Sequence, residues 1–331
     1  NRPVAEFGAR RAQSYDAAML GARAAFIGGC TSTACVIADQ YYNIPAVGTM
    51  AHSWVQIFND EYEAFKAYSE IYPDNCVLLV DTYDVLKSGM PNAIKVFDEI
   101  LKPLNKRPKG VRIDSGDIAY LSKKMRKMLD DAGYPDCGIV ASNALDEYII
   151  RDLISQGAKI NSFGVGENLI TSRSEPVFGG VYKLAAVVED GLMVPKIKVS
   201  ESSEKITTPG FKNLFRLYDK NTDKAIADYI CLREEEINES EPLTIFDPDS
   251  VWKHKTLKDY KAVCLLEQIC KNGEVTYESP TLKEIQSFCK QEMELMWDEL
   301  LRFENPHKYY VDLSDRLWNM KHCLLEQNSY K

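Results

Sequence analysis

From residue 76 onward, short apolar runs alternate with amphipathic stretches at a regular pace. CVLLV (76–80) is continuously apolar, the pattern of a strand covered on both faces. MPNAIKVFDEILKPL (90–104) repeats its apolar residues at helical spacing, and Pro91 suits a first turn. KGVRIDSGD (109–117) predicts a strand and YLSKKMRKMLDDAGY (120–134) a helix stopped at Gly133. CGIVASN (137–143) predicts a strand, LDEYIIRDLISQG (145–157) a helix ended by glycine, and INSFGVG (160–166) a strand running into a glycine-rich turn. YYNIPAVG (41–48) and GVYKLAAVVED (180–190) read as two more strands.

Repeated βα units build a parallel sheet covered by helices, either a barrel or a doubly wound sheet. In both, the C-terminal strand ends gather on one side and form the ligand face. That side collects Asp81, Asp84, Arg112, Asp114, Asp117, Ser142, Asn143 and Gly164–Gly166. One polar strand end is ordinary solvation, whereas four in succession point to a site. Past residue 205 the texture changes. EKITTPGFKNLFRLYDKNTDKAIADYICL (204–232) predicts a hairpin around DKNTDK. TLKEIQSFCKQEMELMWDELLRF (281–303) predicts a long amphipathic helix, with Thr281 and Glu284 spaced as a capping box. These patterns divide the chain into a catalytic α/β domain over 1–203 and a smaller layer domain with helices over 204–331.

Composition narrows the function. The 331 residues are 45% hydrophobic and carry a net charge of −9, ordinary globular usage without the basic footprint of a nucleic-acid binder. Nine scattered cysteines, an odd number, argue for free thiols rather than a disulfide framework. No apolar run reaches the roughly 20 residues of a membrane helix, and no signal peptide is visible. A cytoplasmic, soluble protein is expected.

Candidate chemistry lies in four stretches. Arg112 and Asp114 in RIDSGD are two apart, so a strand presents both on one side. They suit either a ligand carrying phosphate or ribose groups or a simple local ion pair. Gly164 and Gly166 in FGVGEN free the backbone to approach an anion. Phe7 and Arg10 in EFGARRAQ offer an aromatic face and a guanidinium, or else a helix start with surface arginines. His52 follows the 41–48 stretch, where a histidine acts as base, acid or nucleophile, or merely fills space.

Taken in order, EFGARRAQ, FIGGCTST, GTMAHS, VDTYD, GVRIDSGD, ASNALDE, FGVGENLITS and GGVYKL resemble the nicotinate phosphoribosyltransferases. The likeness continues through EKITTPGFK to DLSDRLWNMKHCLLE. The resemblance implies an incomplete or irregular TIM-like (β/α) barrel with a smaller α/β layer domain, assembled as a homodimer with shared active sites. It implies transfer of a phosphoribosyl group from phosphoribosyl pyrophosphate to nicotinate, giving nicotinate mononucleotide and pyrophosphate. The family couples this to ATP through a phosphorylated histidine, with Mg²⁺ on the leaving group. By position, His52 matches that histidine, Phe7 the ring that stacks on the pyridine, and Arg10 a substrate-binding arginine. Arg112 and Asp114 match the phosphoribosyl-binding pair with Asp81 nearby, and Gly166 and Glu167 the phosphate-cradling turn beside Ser142 and Asn143. Thr31 stands where the nicotinamide enzymes carry an aspartate, which favours the acid substrate. Family members also carry a region ahead of EFG, so a chain starting at Asn1 is expected to lack part of the layer domain and part of the site. The rival readings are a nicotinamide or quinolinate phosphoribosyltransferase, a barrel lyase or isomerase using Lys183 or Lys198 as a Schiff base, and a non-catalytic ligand-binding descendant.

Overall fold

The computed structural model describes residues 2–329. By its contacts the chain divides into two compact units, one running to Phe178 and including Pro280–Cys289, the other Gly179–Ser279 with the chain from Lys290 onward. The division falls at 178/179, whereas the sequence pattern placed it at 203/204; the intervening hairpin pairs only with itself.

The first unit holds six strands, β1 (Val4–Glu6), β2 (Ser32–Thr33), β3 (Val77–Leu79), β4 (Gly110–Ile113), β5 (Gly138–Ala141) and β6 (Ser162–Val165). All pairings are parallel and the spatial order is β2-β1-β6-β5-β4-β3. The first strand therefore lies beside the last, Ala5 opposite Gly164, as in a βα series that closes on itself. The ring stays open between β2 and β3, which makes it an incomplete (β/α) barrel. Leu78, Leu79, Val111, Ile113, Ile139 and Ala141 from the sheet pack with Phe97, Met125 and Leu129 from the helices. Each such side chain contributes roughly 1.5–3 kcal/mol on burial.

The helices are α1 (Tyr15–Ile27), α2 (Val36–Tyr42), α3 (His52–Ile57), α4 (Glu61–Ile71), α5 (Met90–Val96), α6 (Ile118–Asp131), α7 (Glu147–Ser155) and the single turn α8 (Glu167–Ile170). Side-chain oxygens cap half of their starts: Ser14 takes the amide of Ala17 at 3.1 Å, Asp60 that of Glu63 at 2.9 Å and Asp146 that of Ile149 at 2.8 Å, with Asp117 doing the same for α6. Gly133 and Gly157 end α6 and α7 with φ of 82° and 79°, where a β-carbon is strained.

Three expected elements before residue 200 differ. The stretch 41–48 forms only one bridge, Thr33 to Ala46, because Asn43 ends α2 in the left-handed region (φ 54°) and Pro45 has no amide to offer a ladder. The helix expected over 90–104 widens after Val96 into a looser turn (Phe97–Leu101) and tightens at Lys102–Leu104, where Pro103 lacks the N–H that would continue the ladder. The strand expected over 180–190 is shorter: β7 (Ala186–Glu189) turns at Asp190-Gly191, both at positive φ, and pairs antiparallel with β8 (Leu192–Pro195).

β7 and β8 belong to the second unit, whose main sheet is built from β9 (Lys212–Asp219) and β10 (Ala225–Leu232). These form the expected hairpin, with the carboxylate of Asp219 taking the amides of Asn221 and Thr222 at 2.8 and 3.0 Å. After β11 (Leu243–Asp247) and β12 (Ser250–Leu257), β13 (Tyr260–Cys264) adds to β9. β14 (Cys270–Lys271) and β15 (Glu274–Val275) follow, then β16 (Val311–Leu313), which joins β10 in parallel. Helix α9 (Leu282–Glu294) starts at the Thr281–Glu284 capping box but stops short of the expected 303, and α10 (Asp315–Ser329) ends the description. Among the described residues no helix is long and apolar enough to cross a membrane, and all nine cysteines are free.

Candidate active site

The C-terminal ends of β3 and β4 are tied together by one carboxylate. Asp81, whose side chain is 1% exposed, accepts the amide of Asp114 at 2.9 Å and the hydroxyl of Ser115 at 2.6 Å through Oδ2. Its other oxygen, Oδ1, is buried with no hydrogen-bond partner. Such an atom costs free energy, so it marks a place where something charged or N–H bearing belongs. His52, the first residue of α3, stands there: its Nε2 is 4.0 Å from Asp81 Oδ1 and 3.9 Å from Asp114 Oδ2. On the other side of the ring, Nδ1 lies 3.1 Å from the hydroxyl of Thr82.

Arg112 forms the second centre. Its side chain is 16% exposed and spreads three donors, Nε to Ser142 at 2.8 Å, Nη1 to Thr49 at 2.8 Å and Nη2 to Asp114 Oδ1 at 3.1 Å. Ser142 in turn donates to Asp114 Oδ1. The two-residue spacing thus lets Arg112 and Asp114 pair, and the pair is held by two hydroxyls. A guanidinium has five N–H groups, so one on each terminal nitrogen stays without a partner among the described residues, in the fork that suits phosphate or carboxylate. The guanidinium carbon also lies 5.6 Å from the ring centroid of Phe7.

Phe7 follows β1 and its amide bonds to the Val165 carbonyl at 2.8 Å. A β-carbon on Gly164 would meet the Phe7 ring at 2.5 and 2.6 Å, and one on Gly166 would meet the Phe7 carbonyl at 3.1 Å. The two glycines are there first for space, letting the aromatic ring lie on the strand.

Residues 3–216 match the nicotinate phosphoribosyltransferase (NAPRTase) family, and residues 211–321 match the nicotinate phosphoribosyltransferase C-terminal domain. The chain belongs to the nicotinate phosphoribosyltransferase family. A nicotinate phosphoribosyltransferase of Bacillus subtilis is 47% identical over 316 residues, 96% of this chain and 64% of that protein. The crystal structure of human nicotinic acid phosphoribosyltransferase superposes with a TM-score of 0.79 at 26% identity, covering 98% of this chain and 70% of that one. The chain therefore spans about two thirds of the length of these relatives. The nicotinate-nucleotide pyrophosphorylase of Pyrococcus furiosus, at 24% identity and a TM-score of 0.64 over 89% of this chain and 66% of that one, shares the fold.

Set against the family motifs, the structure gathers His52, Asp81, Arg112, Asp114, Ser142 and Phe7 in one connected group. Gly164 and Gly166 adjoin it through Phe7. Other candidates lie apart. Thr31 precedes β2, and both its amide and its hydroxyl go to the Val4 carbonyl at the N-terminal end of β1. Only Ser32 separates it from Thr33, the last residue of β2, which donates to the buried Glu6 at 2.6 Å. Arg10 is exposed with no partner among the described residues, and Glu167 pairs at 3.3 Å with Arg11. Asn143 is exposed, held at φ 133° with its side chain accepting the Ala144 amide at 2.7 Å. Asp84 and Asp117 are caps: Asp84 accepts the amides of Leu86 and Lys87, and Asp117 that of Tyr120. Lys183 and Lys198 are exposed and belong to the second unit. Thr49, Thr82, Ser115 and Glu6 enter from structure alone. Their only advance signal was position, directly after a strand or beside a singled-out residue.

Proposed function

We propose that the strand-end group of the first unit catalyses phosphoribosyl transfer to nicotinate, coupled to ATP, as a step of pyridine nucleotide salvage. The observation that carries the reading is the His52 ring set between Thr82 and two carboxylates, one holding an unpartnered buried oxygen. The ring nitrogen of nicotinate forms a bond to C1 of phosphoribosyl pyrophosphate as the bond to pyrophosphate breaks. Positive charge builds on the ribose, and Asp81 and Asp114 stabilise it from fixed positions. The two remaining N–H groups of Arg112 take a phosphate or carboxylate oxygen, and the Phe7 ring offers a flat face to the pyridine. Positioning supplies much of the rest, since the nucleophile is already electron-rich.

In the ATP half-reaction, His52 attacks the γ-phosphorus, the bond to ADP breaks, and the ring carries the phosphoryl group. The described residues hold no group of three or more His, Cys, Asp or Glu side chains arranged for a metal. Mg²⁺, which the family resemblance implies, would neutralise the charge of the leaving pyrophosphate. Nicotinate rather than nicotinamide rests on the relatives, because Thr31 faces a backbone carbonyl. Nine free thiols fit the reducing cytoplasm, and a homodimer follows the family.

The test is an assay of the full chain with phosphoribosyl pyrophosphate and each of nicotinate, nicotinamide and quinolinate, with and without ATP. Nicotinate mononucleotide should form fastest from nicotinate, and ATP should raise its yield. Preference for nicotinamide, or no ATP effect, would overturn the corresponding half of the reading.

A further inference from the structure

The three groups around the His52 ring are not equivalent. Nε2 faces Asp81 Oδ1 at 4.0 Å and Asp114 Oδ2 at 3.9 Å, while Nδ1 faces the Thr82 hydroxyl at 3.1 Å. If Nδ1 carried the proton, the lone pair on Nε2 would point toward two carboxylates, an electrostatically unfavourable arrangement beside the unpartnered Asp81 Oδ1. If Nε2 carries it, the N–H dipole points at both carboxylates, and the Nδ1 lone pair accepts from Thr82. A hydroxyl can donate or accept, so threonine alone does not choose between the two. In the neutral ring the carboxylates favour Nε2–H, and Thr82 then has only the donor role left.

The position of Thr82 is itself well fixed. It follows Asp81 directly, the preceding Val80 amide bonds to the Arg112 carbonyl at 3.1 Å, and Gly89 packs so close to the Val80 carbonyl that a β-carbon there would lie 1.9 Å away. The hydroxyl therefore meets the ring at a set place rather than from a wandering loop.

We propose that Thr82 is a positioning residue for His52. With Asp81 and Asp114, it holds the imidazole as the Nε2–H form and leaves Nδ1 as the reacting nitrogen. The inference rests on the phosphorylation of His52 proposed above. In that step the Nδ1 lone pair forms the N–P bond, the bond from the γ-phosphorus to the bridging oxygen breaks, and ADP leaves with its electron pair. The ring keeps its Nε2 proton and becomes cationic beside two carboxylates, which stabilise it. The Thr82 hydroxyl, released from the lone pair, lies next to the new phosphoryl group and can donate to one of its oxygens. Neither role is open to a residue without a hydroxyl.

The chain has four histidines, so ¹⁵N-histidine labelling with His52→Asn as the assignment control isolates one ring. Long-range proton–nitrogen correlation on the ligand-free chain should show His52 protonated at Nε2 and bare at Nδ1. Thr82→Val should move the Nδ1 resonance downfield through loss of its donor, and Thr82→Ser should leave it in place. With ATP, phosphorus and nitrogen spectra should put the phosphoryl group on Nδ1. Thr82→Val should slow its formation roughly tenfold, the scale of one lost hydrogen bond, and Thr82→Ser should restore the rate. A proton on Nδ1, a phosphoryl group on Nε2, or a Val variant with unchanged resonance would overturn the proposal. Failure to form any phosphohistidine in the unsubstituted chain would instead sink ATP coupling, and the ligand-free spectra would still decide the role of Thr82.

Discussion

Gly164 has room for a hydrogen and nothing larger. A methyl group there would stand 2.5 Å from the Phe7 ring, so either the ring swings away or β6 and β1 separate. Overpacking of this kind costs about 1–3 kcal/mol. Gly164→Ala should lose that much by chemical denaturation, and most of the loss should vanish in a Phe7→Ala background, because the clash has one partner. Equal costs in both backgrounds would mean that Phe7 is not what Gly164 makes room for. Residues like these show what the amino-acid sequence reveals at this scale. Arg112 and Asp114 were legible because period two fixes which side chains share a face, and Asp81 because it ends an apolar run. Thr31 was named from the family motif alone, because β2 is only two residues long, too short for a pattern to say where its side chain points. Thr82 and Thr49 were not legible: where a hydroxyl points depends on the partner brought to it from a distant strand.

At the scale of elements, β3 to β6 of the first unit were readable because each is a short apolar run cut off by polar residues or glycine, whereas β1 and β2, at three and two residues, are too short to leave a pattern. What escaped was chemistry of single residues inside otherwise plausible patterns. Asn43 and Pro45 stopped a strand at 41–48, Pro103 reshaped a helix end, and Asp190-Gly191 turned one expected strand into a hairpin. Asp117 is the informative case, since its position after β4 grouped it with the site while its carboxylate takes the Tyr120 amide at 2.9 Å and caps α6. Losing such a cap costs typically ~1 kcal/mol. Asp117→Ala should therefore lower the unfolding free energy by that amount and leave kcat/KM for each substrate within about twofold of the unsubstituted chain, a change below the roughly tenfold of one lost site contact. A large kinetic loss at unchanged stability would return Asp117 to the site.

For the molecule as a whole, a net charge of −9 makes the placement of each buried carboxyl consequential. Glu61 in the first unit is 2% exposed, and burial raises its pKa, with its hydrogen bond to Ser88 opposing. Asp312 on β16 of the second unit is 4% exposed, and its pKa is pushed from the ordinary 3.8 up to about 6, chiefly by burial. Asp247 on β11 adds to the rise and Lys308 opposes it. In the unfolded chain Asp312 gives up its proton near 3.8, whereas in the folded chain it keeps it until about 6. Across that window the folded state binds more protons, so stability falls as pH rises and stays lowered above it. Asp312→Asn removes the ionisation without removing the shape. The variant should gain thermal stability over the unsubstituted chain at pH 7.5, at roughly 2–4 °C per kcal/mol for domains of 150–250 residues, and gain much less at pH 4.5, where the carboxyl is already mostly protonated in the fold. A gain of equal size at both pH values would mean that the substitution acts through packing, and that the carboxyl of Asp312 ionises in the fold as freely as in water.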